Sequence, residues 1–247
     1  MRQTRRAMLL SFSGIDGAGK STQIGALQDR LTEAGIRSLL FTFWDDVVVL
    51  KRFREAASHQ LFKGDKGIGT PEKPLHRRDK NVTSWYLTLV RLCLYLLDAL
   101  HLNLVVARVF MSDADVVIFD RYIYDELANL SSKHWFTRIY IRSLLKITPR
   151  PDVAYLLDTD PLLARARKPE YPLGFLQTNR ASYLALWKLA GMIVISPLPI
   201  QEAEREILQT MLKRWPGSDL RHFSSGSHNA NSSSRSGALD APQERRS

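Results

Sequence analysis

A glycine-rich segment near the start of the chain has the residue types and the spacing of a loop that binds phosphate groups. Four residues separate Gly14 from Gly19-Lys20-Ser21, which is the Walker A pattern. Glycines let such a loop turn tightly and point N–H groups at a β-phosphate, while the lysine bridges the β- and γ-phosphates and the serine hydroxyl reaches Mg2+. The predicted nucleotide-binding residues are Gly14, Ile15, Asp16, Gly17, Ala18, Gly19, Lys20, Ser21 and Thr22.

A second chemical group follows an apolar run in the middle of the chain. Val116–Phe119 predicts a buried strand, and Asp120 comes directly after it. In a parallel sheet the carboxyl ends of the strands face the crevice of the phosphate loop, so Asp120 is predicted to lie near the metal, bound directly or through water. Alternatively, Asp120 is an N-cap at the end of the strand. Next to Asp120, Arg121 would reach an anionic substrate and Tyr122 would pack on a base or sugar. Asp125 is interpreted as a cap of the next helix.

The elements that must position these groups alternate between strand and helix. Strand Met8–Ser13 precedes the glycine turn, and helix Lys20–Ala34 follows it with apolar residues at helical spacing. The other predicted strands are Ser38–Phe43, Val116–Phe119, Val153–Leu157 and Met192–Ile195. The other predicted helices are Asp45–His59, Val82–Phe110, Tyr124–Lys146, Asp160–Arg167, Phe175–Ala190 and Ile200–Arg214. The alternation predicts an α/β fold of three layers, a parallel sheet of about five strands with helices on both faces.

Composition along the chain predicts one folded domain and a tail. Residues 1–215 are predicted to form the domain. Residues 216–247 are rich in Ser, Gly, Asn and Arg, and with few apolar side chains they are predicted to be a disordered polar tail. The segment 63–80 is rich in glycine, proline and charge, and its length favours a lid or binding segment over a neutral connection.

The chain has a net charge of +10 and a single cysteine, Cys93. The positive charge suits phosphate-rich substrates and is also compatible with nucleic acid or an anionic membrane. It is spread thinly and decides nothing by itself, and nucleic acid is not expected as a partner. Cys93 lies in an apolar stretch and is predicted to be a buried residue of a cytoplasmic protein. The most apolar stretch, residues 85–110, is interrupted by charged residues such as Asp98, and it therefore predicts a buried helix rather than a membrane span.

Four segments form an ordered set of motifs between about residues 8 and 212. They are the loop 12–23, the Asp-Arg-Tyr triplet 120–122, the strand 151–158, and the cationic segment 165–170 with Arg180 and Tyr183 behind it. In these segments the chain resembles the thymidylate kinase family. The resemblance implies a P-loop NTPase fold and a nucleotide kinase that uses ATP with Mg2+, with dTMP as the favoured acceptor. Family members form homodimers through long apolar helices, so the resemblance also implies a homodimer as one arrangement.

The resemblance implies roles for individual residues. Asp16 would accept a hydrogen bond from the sugar hydroxyl of the acceptor, and Arg121 would bind or steer the acceptor phosphate. The lid, about residues 165–176, would close its cations over the transferring phosphoryl group, whose charge spreads over its oxygens. Alternatively, these cations complement the dipole of a helix C-terminus. The implied sites are catalytic Lys20, Arg121, Arg165, Arg167 and Lys168, acceptor-binding Asp16, Arg91, Arg121 and Tyr122, and metal-binding Ser21 and Asp120.

The chain departs from the family pattern after the second strand. Where the family has an Arg-Glu-Pro-like segment, this chain has Phe43-Trp44-Asp45-Asp46, and either acid would take the metal role or cap a helix. Trp85, Tyr86 and Arg91 are candidates for contacts with the acceptor, although aromatic residues on such a helix also serve as core. The segment 63–80 has no family counterpart.

Two other functions remain open from the sequence. One is a P-loop kinase for a nucleoside or a sugar-like metabolite, in which Asp45, Asp46 or Asp120 would act as a base for the acceptor hydroxyl. The other is a non-catalytic nucleotide-binding regulator that uses the basic loop and tail to bind nucleic acid or anionic surfaces, although the lid cations favour catalysis.

Overall fold

The computed structural model describes residues 6–51, 85–130 and 134–215. Its strands are β1 (Met8–Ser13), β2 (Ser38–Thr42), β3 (Val116–Asp120), β4 (Val153–Leu157) and β5 (Ile193–Ile195). They form one parallel five-stranded sheet in the order β2-β3-β1-β4-β5. Its helices are α1 (Lys20–Glu33), α2 (Trp85–Phe110), α3 (Ile123–Leu127), α4 (Trp135–Ile147), α5 (Pro161–Arg167), α6 (Leu173–Ala190) and α7 (Ile200–Arg214).

Helices cover both faces of the sheet, because side chains alternate between the faces along each strand. On one face, the ring of Phe12 stacks on Tyr155 with 4.9 Å between the ring centroids, and the Tyr155 hydroxyl donates to the carbonyl of Ile207 in α7. On the other face, Leu9 and Leu156 join a core cluster with residues of α2, α3, α4 and α6. The predicted three-layer α/β architecture is confirmed.

The strand register brings the chemically active segments to one edge of the sheet. Phe12 pairs with Asp120 across β1 and β3, and Thr42 pairs with the same residue across β2 and β3. Ser13 pairs with Leu156 of β4. The loop that follows β1, the acid that ends β3 and the segment that follows β4 therefore begin side by side.

Most predicted elements agree with the structure to within two or three residues, but the single helix Tyr124–Lys146 is wrong. The structure divides it into α3 and α4. After α3, the amides of Asn129 and Leu130 donate to carbonyls three residues earlier, and the Asn129 side chain donates to the Asp125 carbonyl at 2.9 Å. These tighter bonds replace the α-helical pattern and end the helix.

The predicted helix Asp45–His59 is not continuous over its described part, because residues 48–50 interrupt it before Lys51, which is helical. Residues Phe43–Val47 form a single π-helical turn, and Val48 after it is extended. Residues 52–59 lie outside the described residues. The same applies to the predicted segment 63–80, to the tail 216–247 and to the side chains of Trp85 and Tyr86.

Helix α2 packs on the core through one side. Tyr95, Ala99 and Leu102 are buried, whereas Leu100 and Leu104 are half exposed. Cys93 is also exposed, so its predicted burial is wrong, and the prediction of a buried helix holds for one side of α2 alone. Apolar composition does not determine which sides of a helix are covered, because that depends on the packing of distant elements. Among the described residues, Thr88–Phe110 alone is long and apolar enough to cross a membrane, and 33% of that stretch is buried in the fold.

Candidate active site

The phosphate loop, residues 14–21, connects β1 to α1 and depends on glycine at specific points. Gly17 and Gly19 have φ of 84° and 90°, in the left-handed region that favours glycine. A Cβ atom at Gly14 would lie 2.5 Å from the carbonyl oxygen of Leu157, and one at Gly17 would overlap the carbonyl of Ala164. The loop is therefore seated against the end of β4 and against α5, and only glycine fits at these contacts.

Lys20 lies under the phosphate loop with its ammonium turned inward. Its Nζ donates to the carbonyl oxygens of Gly14 at 2.8 Å and Ile15 at 3.1 Å, and the side chain is buried. Burial, and next the charge of Arg121, lowers the pKa of Lys20 to about 8. The carbonyl partners hold a cation inside the loop, at the N-terminal end of α1 where anions are also favoured.

Arg121 directly follows β3 and reaches across to the phosphate loop. It has a φ of 69°, which is unusual for a residue other than glycine, and its amide donates to the carbonyl of Phe12 at 2.9 Å. Its Nη2 forms an ion pair with Asp16, inside the loop. Burial works against the charged guanidinium, but Asp125 and Asp16 outweigh it and raise the pKa of Arg121. Burial likewise opposes ionisation of Asp16, yet the charges of Arg121, Lys20 and Lys168 lower its pKa.

Asp125 in α3 accepts several hydrogen bonds next to this arginine. Its Oδ2 accepts from the Ser13 hydroxyl at 2.7 Å and from the Tyr122 amide at 3.0 Å, and its Oδ1 accepts from the Tyr183 hydroxyl at 2.6 Å and from Arg121 Nη1 at 3.3 Å. Burial, and next the charge of Asp125, raises the pKa of Tyr183, so its hydroxyl remains a donor. The term arginine junction denotes the five residues of this network, Ser13, Asp16, Arg121, Asp125 and Tyr183.

Asp120 and Ser21 are the oxygen groups that a cation could use beside the loop. The Oδ1 atom of Asp120 is buried without a hydrogen-bond partner among the described residues, and burial raises the pKa of this carboxyl. Ser21 lies exposed in the first turn of α1. A carboxylate and a hydroxyl next to a phosphate-binding loop fit Mg2+, which binds through few protein oxygens and completes its shell with phosphates and water. No cluster of three or more His, Cys, Asp or Glu that could hold a metal occurs in the described ranges.

The cationic segment lies in and just after α5, against the phosphate loop. Asp160 caps this helix by accepting from the Leu162 amide at 2.7 Å. Arg165 is half-buried and Arg167 is exposed, while Lys168 lies 3.4 Å from Glu170 in an ion pair. Because Gly17 contacts Ala164 of α5, these cations start from an element that touches the loop itself.

The helix behind this segment is fixed to the end of β4. Arg180 of α6 makes a two-pronged ion pair with Asp158, with Nε and Nη2 at 2.6 Å and 2.7 Å from its oxygens. Two parallel hydrogen bonds of this kind restrict both orientation and distance. The pair therefore ties α6, which carries Tyr183, to the strand whose end supports the phosphate loop.

Comparison with known proteins gives a consistent result. The chain is 28% identical over 230 residues to a probable thymidylate kinase of Sulfolobus acidocaldarius, covering 87% of this chain and 99% of that protein. It is 26% identical to a probable thymidylate kinase of Archaeoglobus fulgidus, covering 81% and 92%. No protein-family model matches. The crystal structure of a thymidylate kinase from Ehrlichia chaffeensis has the same fold, with a TM-score of 0.52, 19% identity and coverage of 84% of this chain and 99% of that one.

The chain is a divergent thymidylate kinase-like protein. Its parallel sheet and glycine loop are those of a P-loop NTPase. The similarity supports a nucleotide kinase function, which is the general reaction class that the motifs imply.

Two predicted acceptor-binding residues of this thymidylate kinase-like chain, Tyr122 and Arg91, differ in exposure. Tyr122 is not available to an acceptor, because it is fully buried and its hydroxyl donates to the Pro149 carbonyl at 2.7 Å. The sequence placed it next to Arg121 correctly, but the strained turn at Arg121 points the two side chains in different directions. Arg91 lies half-buried near the start of α2, and its contact with an acceptor remains a prediction.

The two acids after β2 are engaged within their own turn. Asp46 accepts from the Thr42 amide at 2.6 Å, and Asp45 forms an ion pair with Lys51. The structure therefore favours the capping alternative for Asp46. Both side chains remain exposed at the end of the strand that pairs with Asp120.

Sequence reasoning missed the part that Asp125 plays. It interpreted this residue as a helix cap, which is correct as far as the Tyr122 amide goes. The contacts with Ser13 and Tyr183 join residues separated by 112 and 58 positions, so no local pattern reveals them. The i,i+4 spacing of Arg121 and Asp125 was the one available signal.

Proposed function

We propose that the chain transfers the γ-phosphate of MgATP to a nucleoside monophosphate, with dTMP as the favoured acceptor. The observation that carries this proposal is the position of Arg121, which is bound to Asp16 of the phosphate loop. A fixed cation there stands beside the donor phosphates without belonging to the donor loop. It is available to an anionic second substrate.

Different residues would contact the phosphoryl donor and the acceptor. Lys20 would leave its loop carbonyls and neutralise the β- and γ-phosphates, which the amides of the phosphate loop surround. Arg121 would bind the acceptor phosphate, and Asp16 would turn to a sugar hydroxyl of the acceptor. No general base is needed, because a phosphate oxygen is already ionised at neutral pH. The rate then depends on alignment and on positive charge around the transferring group.

The segment after β4 would supply the remaining positive charge. Arg165, Arg167 and Lys168 would close over the donor phosphates, starting from the contact between Gly17 and Ala164. Ser21 and Asp120 would hold Mg2+, which neutralises phosphate charge when it is bound. The unpartnered Oδ1 of Asp120 supports its part in this pair.

A hydroxyl acceptor is the second candidate, and one observation favours it. Burial raises the pKa of Asp120, and one of its oxygens has no partner in the described structure. Such a carboxylate is suited to accept a proton from an alcohol. A nucleoside or sugar-like acceptor is therefore tested beside the monophosphates.

The proposal places the reaction in the cytoplasm, where nucleotides are interconverted, without a nucleic-acid partner. It also includes a homodimer through α2. Support for the dimer comes from the exposed apolar side chains along one side of this helix, namely Leu89, Val90, Leu96, Leu97, Leu100 and Leu104. Sedimentation velocity of the purified protein would detect the dimer directly.

The deciding experiment measures ADP formation from MgATP with dTMP, dUMP, CMP, AMP, thymidine or no acceptor. We expect strong stimulation by dTMP and little by thymidine. Stimulation by another monophosphate would keep the reaction class and change the acceptor. Stimulation by thymidine alone would replace the proposal with the hydroxyl-acceptor kinase, and silence with every acceptor would refute transfer to these monophosphates and to the nucleoside.

A further inference from the structure

The arginine junction places a buried carboxylate behind Arg121 that the proposed reaction does not use. The side chain of Asp125 is 5% exposed, whereas those of Asp16 and Arg121 are 19% and 24% exposed. An anion that arrives from solvent can therefore reach the side of the guanidinium that faces Asp16. It cannot reach the side that faces Asp125.

The two carboxylates differ in how firmly they are held. Asp16 lies in the phosphate loop, where its side chain accepts from Arg121. Asp125 accepts from Ser13, Tyr183 and the Tyr122 amide in addition to Arg121. A buried carboxylate that is fully bonded in this way keeps its position when one partner moves, because any other position would leave donors unsatisfied.

Arg121 needs such a fixed partner. Its φ of 69° is a strained conformation that the surrounding structure must impose. When the acceptor enters and Asp16 turns to it, one of the two side-chain partners of the guanidinium is lost. The other partner then determines where the guanidinium stays.

We propose that Asp125 is a positioning residue that holds Arg121 in place while Asp16 exchanges its partner for the acceptor. Ser13 and Tyr183 fix Asp125 from β1 and α6, so the orientation of Arg121 is set by three separate parts of the fold. This inference rests on the proposed function for the identity of the arriving anion. The anchoring of Arg121 itself does not depend on which acceptor is used.

The first test is a double-mutant cycle with the acceptor that stimulates the wild type. Asp125→Asn keeps the shape of the side chain, and it should lower kcat/KM for the acceptor about 100-fold with little change in KM for MgATP. Tyr183→Phe keeps the packed ring and should cause a smaller loss in the same parameter. In an Arg121→Ala background, Asp125→Asn should change kcat/KM by less than about twofold, because a residue that acts through Arg121 has nothing left to position.

The matched control is Asp152→Asn at the opposite edge of the sheet. Asp152 also pairs with an arginine, Arg6, at 2.6 Å and also accepts from a backbone amide, that of Leu9, at 2.8 Å. The Asp152→Asn substitution should leave kcat/KM unchanged for both substrates. An equal loss from Asp125→Asn in the presence and absence of Arg121 would overturn the proposal, and so would an unchanged kcat/KM in folded Asp125→Asn.

The second test needs no turnover and separates this proposal from the proposed function. NMR of the side-chain Nη protons of Arg121, assigned by their loss in Arg121→Lys, reports how fast the guanidinium rotates and exchanges with water. We expect slow exchange in the wild type and fast exchange in Tyr183→Phe and Asp125→Asn. Exchange in the wild type as fast as that of the exposed Arg167 would refute the anchor, even if the kinase activity is confirmed. Slow exchange in a protein that phosphorylates none of the acceptors would retain the anchor and refute the function.

Discussion

The phosphate loop and the arginine junction differ in how the chain builds them. The loop is one stretch of eight residues, and its glycines, its lysine and its contacts with the carbonyls of Gly14 and Ile15 lie within that stretch. The junction draws residues from β1, the loop, the end of β3, α3 and α6. A local site is set by spacing along the chain, whereas an assembled site requires correct packing of several elements. Asp16 belongs to both sites. Other changes in the loop should affect the donor chemistry with every acceptor, and the effects of changes in the junction should depend on the acceptor.

The largest expected effect comes from removing the loop cation. Lys20→Ala should lower kcat by about 1,000-fold or more with every acceptor, because the preorganised charge on the donor phosphates is lost. The fold should persist, since within the described residues the hydrogen-bond partners of this lysine are carbonyls of the loop. Steady-state ADP release and circular dichroism check both points. Unchanged turnover would contradict the whole assignment of the site.

The same lysine gives the phosphate loop a pH dependence at alkaline pH. The folded protein lowers the pKa of Lys20 from 10.5 to about 8, so burial of the charged form costs stability below pH 8. As pH rises from about 8 to 10.5 the folded state releases its proton first, and the free energy of unfolding should rise by roughly 3 kcal/mol relative to Lys20→Met. Urea unfolding of the two proteins at several pH values measures this difference. Parallel curves would show that Lys20 titrates normally in the folded protein.

Substitution of a lid cation tests whether the segment after β4 acts together with the phosphate loop. Arg167→Ala should lower kcat about 10- to 100-fold while changing MgATP affinity little, because its charge is needed most in the transition state. Arg205→Ala, an exposed arginine on α7 away from the loop, is the matched control. A loss confined to ATP binding, measured by calorimetry, would instead make Arg167 a ground-state ligand.

The smallest expected effect concerns the contact that joins the loop to α5. Gly17→Ala adds a Cβ that overlaps the Ala164 carbonyl at a φ of 84°, and it should cost about 1–3 kcal/mol of stability and lower kcat. Gly25→Ala in α1 meets no atom within 4 Å and should be neutral or slightly stabilising. Thermal melts and kcat of both variants provide the comparison. Equal behaviour would mean that the loop does not depend on α5.

Sequence reasoning predicted the elements best where a pattern is local. Met8–Ser13, Val153–Leu157 and Ile200–Arg214 match the structure at both ends, because apolar periodicity and flanking turns define them. It failed at the helix between residues 124 and 146. There a side-chain bond from Asn129 ends α3, and the helical periodicity of the neighbouring residues hid this break.

What the sequence determined by itself is the phosphate loop, the alternation of strands and helices, and the acid that ends β3. Each depends on residues that are close in the chain, so covalent spacing alone brings them together. The tertiary structure decided that Tyr122 is core rather than a ligand, that α2 leaves one side exposed, and that Asp125 stands behind Arg121. These outcomes depend on which face of a helix or strand packs against a neighbour that is distant in sequence. The hydrogen bond between Asp125 and Tyr183, which are 58 positions apart, is an example.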